Sequence, residues 1–235
     1  MITDFSSPNC NARKPEQGLD PIIDTLVIHY TGMMPTIRAR DWLCDPVSQV
    51  SAHYLIDEDS TTWQLVVEAD RAWHAGVGAW RGWRDINSRS IGIELSNPGH
   101  DYGYRDFPAI QIDTLIALCR DLVGRHPIPA RNVVAHSDIA PARKIDPGEL
   151  FPWAQLADAG IGLWPERSAD PVSDADTAAT LQAIGYDIAA NDLPIVISAF
   201  QRRFRPENFD GVPDPETRSR LAALHALVAE VAPSD

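Results

Sequence analysis

Over its first two-thirds the chain alternates between short apolar runs and polar turns, and it then changes to helical spacing. Asp24-Thr25-Leu26-Val27-Ile28-His29 is dense in β-branched residues and predicts a buried strand. Ser51 to Ile56 and Trp63 to Val67 predict two more, joined by the polar turn Asp57-Glu58-Asp59-Ser60. Ile91-Gly92-Ile93-Glu94-Leu95 predicts another. Its Glu94 faces away from Ile91, Ile93 and Leu95, because strand side chains alternate. Ile112, Leu115, Ile116, Cys119, Leu122 and Val123 recur at spacings of three and four, so Pro108 to Arg125 predicts an amphipathic helix. Pro127 and Pro129 end it, and Asn132 to His136 returns as a strand. The expected class is α/β, a mixed central sheet flanked by helices.

The opening twenty or so residues are rich in Pro, Asn, Arg and Gly and read as an extended arm. Between Trp164 and Ser173 the composition shifts to Pro, Ser, Asp and Arg, the mark of a linker. Three helical segments follow. The first opens at Ser173, with Asp176 as a capping partner, and closes near Gly185. The second begins near Pro194 and carries Val196, Phe200 and Phe204. The third opens with Asp214-Pro215-Glu216-Thr217 and bears the stripe Leu221, Leu224, Val228 and Val231. The expected organisation is therefore a larger domain over 1–165 and a small three-helix bundle over 173–235.

Composition narrows the function more than the fold. With 235 residues, 44% hydrophobic and 23% charged, the chain has material for one catalytic-sized core and an appendage. A net charge of -13 argues against nucleic acid or an anionic membrane as the main partner. No stretch approaches the length of a membrane span. Met1 to Phe5 lacks the basic and apolar regions of a signal peptide, which predicts a cytoplasmic protein, or a periplasmic one if the natural start lies upstream. Cys10, Cys44 and Cys119 are odd in number and widely spaced, so neither a thiolate zinc site nor a disulfide framework is expected. Cys119, on the apolar helix face, reads as a buried free thiol.

The chemistry concentrates at strand ends. His29 and His136 each close a predicted strand, where ligand sites of α/β proteins form, although either alone fits a structural histidine equally well. The segment from His136 to Gly148 changes the balance. It carries an imidazole and, ten positions on, the carboxylate of Asp146, with Lys144 two positions before it. Two imidazoles and one carboxylate leave a tetrahedral Zn²⁺ with one open position, as catalytic zinc sites require. Nitrogen and oxygen ligands without cysteine also suit other divalent metals.

Five stretches occur together in order: Val27 to Thr31, Ser51 to Ile56, Ala72-Trp73-His74-Ala75-Gly76, Ser90 to Leu95, and the His136 to Gly148 loop. In these the chain resembles the type 2 N-acetylmuramoyl-L-alanine amidases, a family that includes peptidoglycan recognition proteins. The resemblance implies that His29, His136 and Asp146 bind Zn²⁺ and that Glu94 and Lys144 are catalytic. Glu94 would move the proton from water to the leaving alanine nitrogen, and Lys144 would meet the developing oxyanion. His74, Tyr30, Trp73 and Asn87 are implied substrate contacts. His53 reads at least as well as a structural histidine.

Trp73, Trp80 and Trp83 with Arg81 and Arg84 suit either a sugar-stacking wall or plain packing. An arginine that some members use for the stem peptide falls on Asp85 by count, or on Arg84 if the match slips. The segments Thr180 to Tyr186, Ala199 to Phe204 and Gly211 to Thr217 resemble a three-helix peptidoglycan-binding domain. The implied partners are peptidoglycan or muropeptide fragments. A non-catalytic receptor of the same fold is the alternative, but such receptors lack a metal ligand, whereas Asp146 and Glu94 are both present here.

Overall fold

A computed structural model of the protein describes residues 1–168 and 170–230. The chain forms two compact units, one holding Met1–Val77 and Asp85–Ile128, the other Gly78–Arg84 and Pro129–Asp235.

The first unit contains β1 (Cys10–Ala12), β2 (Thr25–Tyr30), α1 (Thr36–Cys44), β3 (Tyr54–Ile56), β4 (Thr62–Gln64), β5 (Asp70–Ala72), α2 (Ile86–Arg89), β6 (Ser90–Leu95) and α3 (Ala109–Arg125). Its main strands lie in the order β4-β3-β6-β2. β6 runs parallel to both β2 and β3, while β3 and β4 are antiparallel, so the sheet is mixed. Leu26, Val27 and Ile28 are fully buried, as are Ile91, Ile93 and Leu95. Burial on both faces explains why β2 reads as an unbroken apolar run, whereas in β6 the three large apolar side chains share one face. Ile112, Leu115, Cys119 and Leu122 of α3 are buried as the periodicity predicts. Gln111 Nε2 also donates to the Ile56 and Ser96 carbonyls, each at 3.0 Å, which ties α3 to the ends of β3 and β6.

The arm is extended but firmly held. β1 pairs antiparallel with β5, and Asn9 Nδ2 donates to the carbonyls of Asp45 and Val50. The Arg13 guanidinium donates to the backbone carbonyls of Glu68, Asn87, Ser88 and Ser90. Two predicted strands are shorter than the apolar pattern suggests. Only Tyr54–Ile56 and Thr62–Gln64 are regular, yet His53 N still donates to Gly92 O at 3.0 Å, so the ladder reaches past the named strand. Helix α1 escapes the periodicity because its buried residues are only Thr36, Ala39 and Leu43, set among Arg and Asp.

The second unit contains β7 (Val133–Ala135), α4 (His136–Ile139), α5 (Trp153–Asp158), α6 (Thr177–Ile184), α7 (Leu193–Phe204) and α8 (Pro215–Glu230). His136 opens a helix instead of ending a strand. Asp138 Oδ2 accepts from Ala135 N at 2.8 Å, a cap that turns the chain into α4. Helix α6 begins at Thr177, later than Ser173, because Ser173 Oγ accepts from Asp176 N at 3.1 Å and closes a separate turn first. The start of α8 follows expectation: Asp214 Oδ1 accepts from Thr217 N at 2.9 Å, and Pro215 is the first helical residue.

Leu181, Ile184, Val196, Phe200, Phe204, Leu221, Leu224 and Val228 are buried. Val231, the last member of the predicted stripe, lies outside the described residues. Gly211 has φ +80°, and a Cβ there would sit 2.6 Å from Pro194 O, so only glycine fits the turn. Cys10, Cys44 and Cys119 are free thiols, with Cys119 fully buried. Among the described residues no helix is long and apolar enough to cross a membrane.

Candidate metal centre

His29 is the fifth residue of β2 and is 1% exposed. Its partner in the parallel β2–β6 register is Glu94. Paired residues of neighbouring strands point to the same face, so the sheet sets an imidazole and a carboxylate side by side. Two positions before Glu94 on that face stands Gly92, and a Cβ there would lie 2.4 Å from the ring of His74. The missing side chain of Gly92 is what admits the His74 ring. His74 Nδ1 lies 3.0 Å from His29 Nε2, and His74 Nε2 lies 3.0 Å from Ser90 Oγ.

His136 and Asp146 come from the loop that the sequence singles out. His136 Nδ1 and Asp146 Oδ2 are 3.0 Å apart and both residues are buried. The loop is closed by its own backbone, with Ser137 N donating to Asp146 O at 3.0 Å. His29, His136 and Asp146 are each buried within their own units. Two imidazoles and one carboxylate make up the donor set of a catalytic zinc ion.

The backbone beside His136 is fastened by an ionic cluster. Asp138 is fully buried. It accepts from Tyr186 Oη at 2.7 Å and from Arg203 Nη1 at 2.5 Å. The second Arg203 nitrogen, Nη2, donates to Val133 O at 2.9 Å. Burial, followed by the negative charge of Asp138, holds the Tyr186 phenol well above its ordinary range.

The remaining predicted residues fall into distinct settings. Asn87 is buried, and its Oδ1 accepts from the backbone N–H groups of His74 at 3.1 Å and Ala75 at 2.8 Å. Trp73 Nε1 donates to Asn11 Oδ1 at 2.7 Å. Tyr30 Oη lies 2.9 Å from His100 Nδ1, beside the ring of Tyr104. Lys144 is half-buried in the loop, with its backbone N–H on Ala140 O at 3.0 Å.

His53 is a structural histidine. Its Nδ1 accepts from Gly92 N at 3.0 Å, and its Nε2 faces the Asp70 carbonyl at 3.1 Å. Burial, then the charge of Arg13, pushes its pKa down to about 3. Trp80 is buried against Tyr186, a packing role. Asp85 pairs with Arg71 at 2.8 Å, while the largely exposed Arg84 meets Asp187 at 3.1 Å.

Sequence reasoning missed Ser90, Tyr186 and Arg203. Gly92, a glycine inside an apolar strand, was the one local signal of a close approach by another group.

Comparison with known proteins supplies the family context. The family model described as N-acetylmuramoyl-L-alanine amidase matches residues 19–149. The N-acetylmuramoyl-L-alanine amidase AmiD of Escherichia coli (strain K12) is 40% identical over 246 residues, covering 91% of this chain and 86% of AmiD. The 1,6-anhydro-N-acetylmuramyl-L-alanine amidase AmpD of the same organism is 45% identical over 109 residues, covering 46% of this chain and 57% of AmpD. A solved structure of E. coli AmiD, in complex with the substrate anhydro-N-acetylmuramic acid-L-Ala-D-gamma-Glu-L-Lys, superposes with a TM-score of 0.79. That likeness covers 92% of this chain and 93% of the other, at 40% identity.

Proposed function

The chain belongs to the N-acetylmuramoyl-L-alanine amidase family, and on that premise we propose that it is a zinc amidohydrolase acting on cell-wall muropeptides. The bond cut joins N-acetylmuramic acid, or its 1,6-anhydro form, to L-alanine. The observation that carries the zinc reading is the buried pair His136 and Asp146, 3.0 Å apart on one loop, in a chain of this family that also keeps a buried His29 at the end of β2. Zinc held there would supply Lewis acidity toward the scissile carbonyl and make water a better nucleophile at neutral pH.

The other roles belong to this chain's own side chains. Glu94, beside His29 in the register, accepts the proton of the attacking water and delivers it to the leaving alanine nitrogen. An amide nitrogen is a poor leaving group until protonated, so this delivery is essential. Lys144 offers a positive charge to the carbonyl oxygen as it becomes an oxyanion. Tyr30 and Trp73 are proposed to line the substrate groove. The α6–α8 bundle is proposed to bind peptidoglycan, which retention of the isolated segment 173–235 on sacculi would check.

The test is to incubate the purified protein with anhydro-muropeptide and follow peptide release, with metal content measured in parallel. Release that chelation abolishes and added zinc restores is the expected result. Tight muropeptide binding without turnover, in a zinc-loaded protein, would overturn the enzymatic reading and leave a receptor of the same fold.

A further inference from the structure

The histidine that faces His29 has its polar atoms turned inward. Asn87 pins the His74 backbone, Gly92 makes room for its ring, and both ring nitrogens lie within hydrogen-bond distance of side chains. The protons on this line of groups can be counted. A serine hydroxyl has one hydrogen. Ser90 Oγ lies 2.6 Å from the carbonyl oxygen of Ile86, which can only accept, so the hydroxyl proton goes there. His74 Nε2, 3.0 Å from the same Oγ, must then donate. A neutral imidazole carries a single proton, which leaves His74 Nδ1 as an acceptor. His29 Nε2, 3.0 Å from that atom, must donate in turn. In a neutral His29 ring, the form that can bind a cation, the lone pair is thereby placed on Nδ1.

We propose that His74 is a positioning residue: with Ser90 it fixes His29 as the Nε2–H tautomer and presents Nδ1 to the cation. The nitrogen of a histidine that binds metal is decided by the bond its other nitrogen makes. Here that bond is made by a second imidazole, and its direction originates at the Ile86 carbonyl. The rings of His29 and His74 meet edge to face at 83°, with centroids 5.1 Å apart, so the relay also fixes the plane of His29. The inference rests on the reading of His29 as a metal ligand, but its tautomer claim holds for the metal-free protein as well.

That independence sets the experiment. Long-range ¹H–¹⁵N correlation spectra of the metal-free, ¹⁵N-histidine-labelled protein report which ring nitrogen carries the proton. His29 and His74 are both expected to be protonated at Nε2 alone. A proton on His29 Nδ1, or a doubly protonated His74 at neutral pH, would overturn the proposal without the use of any variant. Ser90→Ala should then populate both His29 tautomers and weaken zinc binding by about 10- to 100-fold, and Ser90→Thr should restore a single tautomer. Unchanged spectra and zinc affinity in a folded Ser90→Ala protein would also defeat it. If His29 shows the expected tautomer but zinc does not bind, the metal reading fails while the relay stands.

Discussion

The two imidazoles proposed to share a cation are held by different physics. His29 belongs to a sheet in which His74, Ser90 and a backbone carbonyl hand one proton direction along a line of hydrogen bonds. His136 opens a short helix whose single turn carries the fully buried Asp138, fastened by a guanidinium and a phenol. In the first region the loss of one partner frees a tautomer. In the second it strands a buried charge, which is far more costly. Arg203 lies 65 positions from Asp138, so α7 braces the loop that supplies His136 and Asp146. The C-terminal helices therefore have a structural task beside the proposed centre, independent of any glycan they bind.

Four changes would break or sharpen this contrast. Glu94→Ala should lower the rate of muropeptide cleavage by about 10²- to 10⁴-fold while elemental analysis still finds the metal. Equal activity in the variant would remove Glu94 from proton transfer. Arg203→Ala should cost about 3–5 kcal/mol in urea unfolding, because it leaves Asp138 buried without its cation. Combining Arg203→Met with Asp138→Asn should cost less than the single change, and strict additivity would show that the pair is not coupled. Gly92→Ala drives a Cβ to 2.4 Å from the His74 ring. It should destabilise the first unit by about 1–3 kcal/mol and shift the His29 ring resonances, whereas His136 resonances stay in place.

The most gradual effect is a slope with pH. His53 is neutral in the folded protein down to about pH 3, but in the unfolded chain it takes a proton below about pH 6.5. The unfolded state therefore binds more protons between these values. Stability should fall as pH drops from about 6.5 toward 3, by up to about 1.4 kcal/mol per pH unit, and this contribution is flat above that window. His53→Asn should remove that part of the slope, which denaturation midpoints measured across the window would reveal.

Much of the molecule was legible along the chain because local patterns carried it. The spacing in α3 announced one buried face, the apolar run of β2 announced a buried strand, the alternation in β6 announced a strand with one apolar face, and Asp214-Pro215 announced the start of α8. The segment from His136 to Asp146 announced two possible donors on one loop, and their side chains do meet at 3.0 Å. Helix α1 was not legible, because three small or medium buried residues among charges make too weak a stripe. His136 was misplaced at a strand end, because the cap that turns the chain belongs to Asp138 and acts through space.

By itself, then, the order of residues determined which groups could bind a cation and which stretches would be buried. Only the tertiary structure decided how those groups are aimed. The bond between His74 and His29 spans 45 positions, and that between Arg203 and Asp138 spans 65. Hydrogen-bond direction and the pairing of a buried charge depend on distances of a few ångströms between segments remote in the chain, and no periodicity along the chain encodes them.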